Sequence, residues 1–234
     1  MTYLSAVRHP WPSVAFLVPL LGAYEIGVAR LTGPNGESLR AGIDLWARKW
    51  LAENGNYPPI LIPAVVLGLL GTWTAWRWRD RPENGFTAVF GTVVEAVVFG
   101  LGLWTLCLNA PALYDRTGLP TAAVGGPDPR IITYLGVGVY EEFVFRLIGF
   151  ALLARLMQVA LVPGLLARPV ALVVSATAFA LAHHFVQSDP FVPLVFFTRM
   201  LIGVYCGLLL WWRGLGVAVG AHIVYDIVVG LPRG

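Results

Sequence analysis

Long apolar runs separated by short polar segments make up most of this chain. A helix that crosses a bilayer needs about 20 mostly apolar residues, and seven of these runs come close to that length or exceed it. The pattern predicts an all-α membrane protein, a polytopic bundle of about seven to eight transmembrane helices. The predicted spans are Trp11–Ala29, Pro58–Trp76, Phe86–Tyr114, Ile131–Ala154, Pro169–Val186, Phe191–Trp212 and Gly214–Leu231.

Two further stretches have patterns of their own. Residues 39–53 place large apolar side chains on one helical face and charged residues, Arg48 among them, off that face; the apolar ones are Ile43, Trp46, Trp50 and Leu51. This pattern predicts one interfacial helix that lies on the membrane surface. The apolar stretch Leu156–Ala167 is too short to span, and we expect it to extend the fourth helix or to lie at the interface.

Composition favours an integral membrane protein over a soluble globular one. The chain is 57% hydrophobic and 12% charged, with a mean hydropathy of +0.72, whereas soluble domains carry about 25% charged residues. The formal charge of +3 comes from scattered basic residues between apolar runs, so we expect contact with lipid and not with nucleic acid. Cys107 and Cys206 lie in apolar segments and are predicted to be packing residues.

Charged side chains are costly inside a membrane, and four of those that fall inside predicted spans lie in the fourth and the last span. The stretch "GVYEEFVFRLIGF" contains Glu141, Glu142 and Arg146, and Asp226 lies in the last span. Together they could cost on the order of 10 kcal/mol before pairing, because each charge at a helix centre costs about 2.5–3.5 kcal/mol. Such groups persist only where they face one another or a wet cavity, so we interpret them as functional.

Helical spacing separates the two adjacent carboxylates. Glu142 and Arg146 share one face and are predicted to pair, while Glu141 is rotated by about 100° from Glu142. A carboxylate held by an arginine stays ionised, whereas a neighbour that faces another direction is suited to act as a base. A structural ion pair alone explains Glu142 and Arg146 but not Glu141.

Histidines in the later spans point to a chemical site. "FALAHHF" places Phe179 and His183 on one helical face, and "AHIVYDI" does the same for His222 and Asp226. A lone buried histidine is usually a packing residue. Three of them, His184 included as a packing or supporting residue, together with the acidic residues predict a hydrolytic or metal site.

The three motifs resemble those of a known family when taken in order on successive helices. Glu141-Glu142-x-x-x-Arg146, Phe179-x-x-x-His183 and His222-x-x-x-Asp226 look like the motifs of the CAAX protease and bacteriocin-processing family. This is the CPBP or Abi group of intramembrane glutamic endopeptidases. The resemblance covers residues 131–231, the predicted catalytic core, and residues 1–130 match only as additional spanning helices. We expect a single integral membrane domain.

The resemblance implies a role for each residue. Glu141 would act as general base with His183 on a water molecule, His222 and Asp226 would stabilise the oxyanion, and Arg146 and Glu142 would support the site. No metal or cofactor is implied. The family allows Asn or Asp at position 226, so Asp226 would either donate while protonated or orient His222.

Two other classes of function fit the same residue types. A zinc-dependent intramembrane metalloprotease would use Glu, His and Asp as ligands, and a proton-coupled transporter or non-enzymatic scaffold would also bury such groups. For a protease, the expected substrate is a peptide or protein cleaved near its C-terminus or at the membrane face, with lipidated substrates and secreted peptide precursors included. The expected location is a bacterial or archaeal cell membrane.

Three further predictions concern other residues inside the spans. Gly216 and Gly220 give the last helix a small-residue face that permits close approach of its neighbours. Glu95 and Arg199 are predicted to pair between helices. Glu25 is a further candidate for the cavity that holds the catalytic residues.

Overall fold

The computed structural model describes residues 2–31, 39–117, 131–185 and 190–231. All regular structure in these ranges is helical, which confirms the all-α prediction. The α-helices are α1 (Tyr3–Val7), α2 (Pro10–Leu31), α3 (Gly42–Asn54), α4 (Leu61–Trp76), α5 (Gly85–Leu108), α6 (Ala110–Asp115), α7 (Ile131–Glu141), α8 (Ala151–Val159), α9 (Gly164–Phe185), α10 (Pro193–Arg213) and α11 (Leu215–Gly230).

The helices form the predicted multi-pass bundle. Within the described ranges, α2, α5, α9 and α10 are long and apolar enough to cross a membrane, and α4 and α11 are shorter apolar helices. The fourth predicted span is continuous from α7 to α8 through the π-helical segment Glu142–Phe150. The chain is therefore an integral membrane protein with several spans. A boundary between two parts at residue 130 stays a prediction, and residues 118–130 lie outside the described ranges.

Some boundaries differ from the predicted ones. The long third span is two helices, because Pro111 at the start of α6 lacks the N–H that would continue α5. The stretch Leu156–Ala167 extends the fourth helix only to Val159. The chain then turns through Leu161 (φ 61°), and α9 begins at Gly164, before Pro169. The last residue of the fifth predicted span, Val186, lies outside the described residues.

Small residues let α11 pack closely against α5 and α2, as its glycines predict. A Cβ at Gly220 would lie 2.5 Å from the Ala96 Cβ, and one at Gly216 would lie 2.9 Å from Thr92 Cγ2. These contacts join the N-terminal half of the chain to the helix that carries His222. The two halves therefore form one packed body around α11.

We expect Gly220→Ala to destabilise the fold by about 1–3 kcal/mol, because the added methyl group would force α5 and α11 apart. Gly68→Ala in α4 is the matched control, since a Cβ there meets nothing within 4 Å. It should be neutral or slightly stabilising, as alanine favours helix. Thermal unfolding in detergent measures both, and equal midpoints for the two variants would contradict the packing account.

The predicted ion pair between Glu95 and Arg199 is wrong, because Glu95 pairs with other residues. The Glu95 carboxylate accepts a hydrogen bond from Tyr3 Oη at 2.9 Å and pairs with Arg213 Nη1 at 3.2 Å. Arg213 lies about 21 Å along α10 from Arg199 at ~1.5 Å per residue, so Glu95 is near the other end of that helix. The ion pair ties α5 to the end of α10, and the Tyr3 hydrogen bond ties α1 to the same carboxylate.

Helix α3 has the predicted location in the chain but an unexpected orientation. Trp46 and Trp50 are about half exposed, whereas Asp44 is fully buried against the bundle and Arg48 points toward it. The polar residues of this helix thus face the protein, and its tryptophans face outward. Outward tryptophans suit a membrane interface, and the placement of α3 on the membrane surface stays a prediction.

Candidate active site

The six predicted site residues come from four neighbouring helical segments of the bundle. Glu141 ends α7, Glu142 and Arg146 lie in the π-helical segment, and the remaining three lie on α9 and α11; these are His183, His222 and Asp226. Their side chains are at most 16% exposed, and those of Glu141, Glu142 and Arg146 at most 1%. The fold therefore brings all six polar groups together inside an apolar bundle.

Glu142 lies between two positively charged or proton-bearing partners. Its Oε2 is 3.3 Å from Arg146 Nε, so the ion pair that the spacing predicts is present. Its Oε1 accepts a hydrogen bond of 2.7 Å from His222 Nδ1. One carboxylate thus links the π-helical segment to α11, and both of its oxygens lie next to a partner.

Phe179 is the ring around which the cluster is arranged. The guanidinium carbon of Arg146 lies 4.0 Å from the ring centroid, which is a cation–π contact. His183 and His222 meet the same ring edge-on, at centroid distances of 5.0 and 5.9 Å. Within the described residues, no nitrogen of the Arg146 guanidinium has a hydrogen-bond partner of good geometry. The ring and Glu142 therefore stabilise this buried cation. The sequence spacing placed Phe179 and His183 on one helical face, but it did not predict this contact of Phe179 with Arg146.

His183 is oriented so that one nitrogen faces Glu141. Its Nδ1 lies 2.9 Å from the Phe179 carbonyl oxygen, and because that oxygen only accepts, Nδ1 must carry the proton. In the neutral ring, Nε2 then holds a lone pair, and it lies 3.8 Å from Glu141 Oε1. A carboxylate oxygen and an imidazole lone pair thus face the same gap, where both can accept a proton.

His222 takes its orientation from Glu142 more than from Asp226. Its Nδ1–H donates to Glu142 at 2.7 Å, whereas its Nε2 is 3.7 Å from Asp226 Oδ2. Within the described residues that Asp226 oxygen is buried without a hydrogen-bond partner. The spacing of His222 and Asp226 placed them on one face, and it gave no sign that a carboxylate on another helix would make the shorter bond.

Side chains also support the unusual backbone of the site. The π-helical segment contains nine residues, although π-helices mostly occur as single turns at functional sites. Ser175 Oγ on α9 donates to the Phe145 carbonyl oxygen at 2.6 Å and so ties α9 to this segment. Nothing in the sequence pattern predicted the π-helical segment, because its apolar and charged positions also fit an ordinary α-helix.

Three ligand-type residues in the site lie close enough together to be considered for a metal ion. Ligand atoms of Glu142, Cys206 and His222 all lie within 4.8 Å of one another, a set that differs from the Glu, His and Asp set predicted for zinc. The 2.7 Å between His222 Nδ1 and Glu142 Oε1 is shorter than the ~3.3 Å that separates two ligands of a tetrahedral zinc ion at about 2.0 Å each. These two atoms are thus arranged to share a proton.

Glu25 does not join this cluster. Its carboxylate contacts Arg40, Arg48 and the Tyr140 hydroxyl. The predicted contribution of Glu25 to the catalytic cavity is therefore wrong, because two arginines of the α3 region draw its side chain to a separate site.

The fold and the buried cluster define a class: a multi-pass membrane protein with acidic, imidazole and guanidinium groups enclosed between its helices. Residues 129–228 match the family model described as type II CAAX prenyl endopeptidase Rce1-like. This match confirms the resemblance to the CAAX protease group over that region, and it supports a membrane protease of CAAX type that acts on peptide or protein substrates. No curated protein and no solved structure matches the chain.

Proposed function

We propose that this protein is an intramembrane endopeptidase that hydrolyses a peptide bond with water activated by Glu141 and His183. The observation that carries this proposal is the pair of proton acceptors, Glu141 Oε1 and His183 Nε2, at 3.8 Å inside the bundle. A water molecule between them would donate one O–H to each. General-base assistance of this kind contributes about 10²–10⁴ to a rate.

The reaction then needs no side-chain nucleophile. The water oxygen bonds to the substrate carbonyl carbon as Glu141 takes one water proton, and the carbonyl oxygen becomes an oxyanion. When the tetrahedral intermediate collapses, the C–N bond breaks and the proton passes from Glu141 to the leaving amine. The products are a new amine and a new carboxylic acid, which ionises by releasing the second water proton to solvent, and Glu141 returns to its ionised form.

His222 and Asp226 are proposed to stabilise the oxyanion, usually the largest electrostatic contribution to such a reaction. Glu142 holds His222 Nδ1, which leaves Nε2 directed away from Glu142 and toward the side of Asp226. A doubly protonated His222 donates from Nε2 to the oxyanion. The charge of Glu142 favours that cation, and Arg146 balances Glu142 in turn.

We expect Asp226→Asn to retain activity within about tenfold of the wild type and to extend it to higher pH. A protonated Asp226 can donate to the oxyanion, and that ability is lost when rising pH ionises it, whereas asparagine donates at any pH. His222 stays oriented through Glu142. The measurement is the pH–rate profile of both proteins. A loss of ~10⁴ at every pH would show that Asp226 orients His222, because a loss of that size follows when the carboxylate that orients the catalytic histidine of a serine protease becomes an amide.

The proposed substrate is a peptide or protein segment near its C-terminus, with lipidated substrates included. A suitable probe pair is a peptide ending in Cys-a-a-X with a farnesylated cysteine and the same peptide without the lipid. Purified protein in proteoliposomes should release a C-terminal fragment that mass spectrometry identifies. Cleavage of the two peptides at equal rates would contradict a preference for lipidated substrates.

The location of the protein in a bacterial or archaeal cell membrane stays a prediction.

We expect the activity to survive dialysis against a strong chelator, with no stoichiometric zinc in the active protein. The reason is that Glu142 Oε1 and His222 Nδ1 already share a hydrogen bond. A zinc ion bound between these two residues would need both atoms as ligands. Metal analysis and rate measurements before and after dialysis are the test. A zinc-to-protein ratio near one, with activity that returns only on adding zinc, would favour the metalloprotease alternative through Glu142, Cys206 and His222.

A further inference from the structure

A second buried charge network lies beside the candidate active site, between α2, α3 and α7. Asp44 is fully buried and accepts hydrogen bonds from Arg40 Nη1 and Arg48 Nε, both at 2.7 Å, and from Tyr24 Oη at 2.9 Å. Glu25 lies 3.3 Å from each arginine. Two arginines and two carboxylates thus form a locally neutral group.

The network is firmly held. Buried ion pairs persist where hydrogen bonds satisfy both partners, and each carboxylate here contacts both arginines. Burial disfavours the charge of Arg40, but its hydrogen bond to Asp44 and the nearby carboxylates raise its pKa above the usual value. Arg40 therefore remains charged at physiological pH, and its contacts help to fix α3 against α2.

Tyr140 connects this network to the helix that carries Glu141. Its hydroxyl donates to Glu25 Oε1 at 2.8 Å, and its ring meets the Tyr24 ring edge-on at a centroid distance of 5.7 Å. The side chain is 2% exposed. Tyr24 itself lies over Gly136 of α7, where any Cβ would collide with its ring. Tyr140 is thus held at both its ring and its hydroxyl, one residue before Glu141.

The position of Tyr140 matters because the backbone changes from α-helix to π-helix directly after Glu141. Extended π-helical geometry is rare, so the rotation of this turn depends on its side-chain anchors. On one side the anchors are the Glu142–His222 and Arg146–Phe179 contacts. On the other side the hydrogen bond from Tyr140 to Glu25 is an anchor. The contacts on the two sides together determine where the Glu141 side chain points.

We propose that Tyr140 and Glu25 are positioning residues for the reaction: their hydrogen bond sets the rotation of the α7 turn so that Glu141 faces His183. This inference rests on the proposed function for its catalytic consequence. A displacement of about 1 Å in a reacting group can cost as much as ~10² in rate, and Glu141 and His183 are separated by only 3.8 Å.

Tyr140→Phe tests the inference, because it removes the hydroxyl and keeps the ring. We expect kcat to fall about tenfold with KM within about twofold, since the turn rotates but the substrate site is intact. Tyr24→Phe is the matched control: it removes a hydroxyl from the same network, at Asp44 and the Ala41 amide, but it is not adjacent to Glu141. Its kcat should stay within about twofold of the wild type.

Glu25 supplies the rescue experiment. Glu25→Gln keeps an oxygen that accepts from Tyr140, so its kcat should remain near the wild-type value, whereas Glu25→Ala should reproduce the loss seen in Tyr140→Phe. Equal kcat losses in Tyr140→Phe and Tyr24→Phe, or full kcat in Tyr140→Phe, would overturn the inference. Equal losses in both Glu25 variants would do the same, since they would indicate a purely structural ion pair.

Amide hydrogen exchange of residues 139–146 gives a readout that does not depend on catalysis. Tyr140→Phe should speed exchange in this turn relative to both the wild type and Tyr24→Phe. If the wild type cleaves no peptide, the proposed function fails, and the exchange result still decides whether the Tyr140 hydrogen bond holds the turn. Unchanged exchange in Tyr140→Phe overturns the positioning role.

Discussion

Glu141→Gln should reduce kcat by about 10²–10⁴ while leaving a folded, membrane-inserted protein, which is the usual share of general-base catalysis. Glutamine has nearly the same shape as glutamate but cannot take a proton from water. The neighbouring ion pair of Glu142 with Arg146 and the hydrogen bond of Glu142 with His222 are untouched by this change. Initial rates in proteoliposomes, with a thermal unfolding curve for each protein, measure the effect.

The chain offers a matched control for this variant. Glu95→Gln makes the same chemical change at a carboxylate near the opposite end of α10, where it pairs with Arg213 and Tyr3. It should keep full activity. If Glu141→Gln retained a rate within tenfold of the wild type, Glu141 would not be the base, and the proposed division of roles between the two adjacent carboxylates would be lost.

Glu142→Gln should have a different and broader effect, because Glu142 is both a structural and a chemical partner. Removing one member of a buried ion pair costs about 3–5 kcal/mol, since the remaining charge is left uncompensated. Arg146 would then be a buried cation with the Phe179 ring as its neighbour. His222 would also lose its carboxylate partner. We therefore expect a lower unfolding midpoint together with strongly reduced activity.

A double variant separates these two effects. Arg146→Met removes the buried cation and keeps a long apolar side chain against Phe179, so Glu142→Gln with Arg146→Met should recover much of the lost stability. Activity should stay low, because His222 still lacks its carboxylate. A double variant as unstable as Glu142→Gln alone would contradict the ion-pair account, and one with restored activity would contradict the role of Glu142 in orienting His222.

The spans and the motif helices could be predicted from sequence because both depend on local patterns. Apolar runs of spanning length identify helices directly, and the helical period places Glu142 and Arg146 on one face, where the structure has them at 3.3 Å. The same period places Glu141 on a different face. The order of three motifs along the chain then singled out α9 and α11 as the partners of this segment.

Long-range partners could not be predicted in the same way. Spacing suggested Asp226 as the partner of His222, yet Glu142, 80 residues earlier in the chain, makes the shorter bond. Spacing also gave no warning that Glu95 would meet Arg213. The partners of His222 and Glu95 depend on which helices pack together. Small residues such as Gly220 influence that packing through contacts between helices that are far apart in the sequence.

The inward polar face of α3 shows a related limit. Apolar residues at helical spacing identify an amphipathic helix, but they do not show which of its faces packs against the protein. Here the ion pairs of Asp44 with Arg40 and Arg48 hold the polar face against the bundle, so the tryptophans point outward. The partners of the charged side chains, and not the apolar pattern, decided the orientation.

The most direct test of peptide hydrolysis by activated water is single-turnover cleavage by the purified, chelator-treated wild-type protein in ¹⁸O-labelled water. The farnesylated Cys-a-a-X peptide in proteoliposomes serves as the probe, and mass spectrometry follows both the peptide and the protein. Direct attack by water predicts two fragments, one ¹⁸O atom in the new carboxylate and no covalent adduct on the protein. The absence of fragments, or a protein that accumulates an acyl adduct during the turnover, would contradict hydrolysis by water activated between Glu141 and His183.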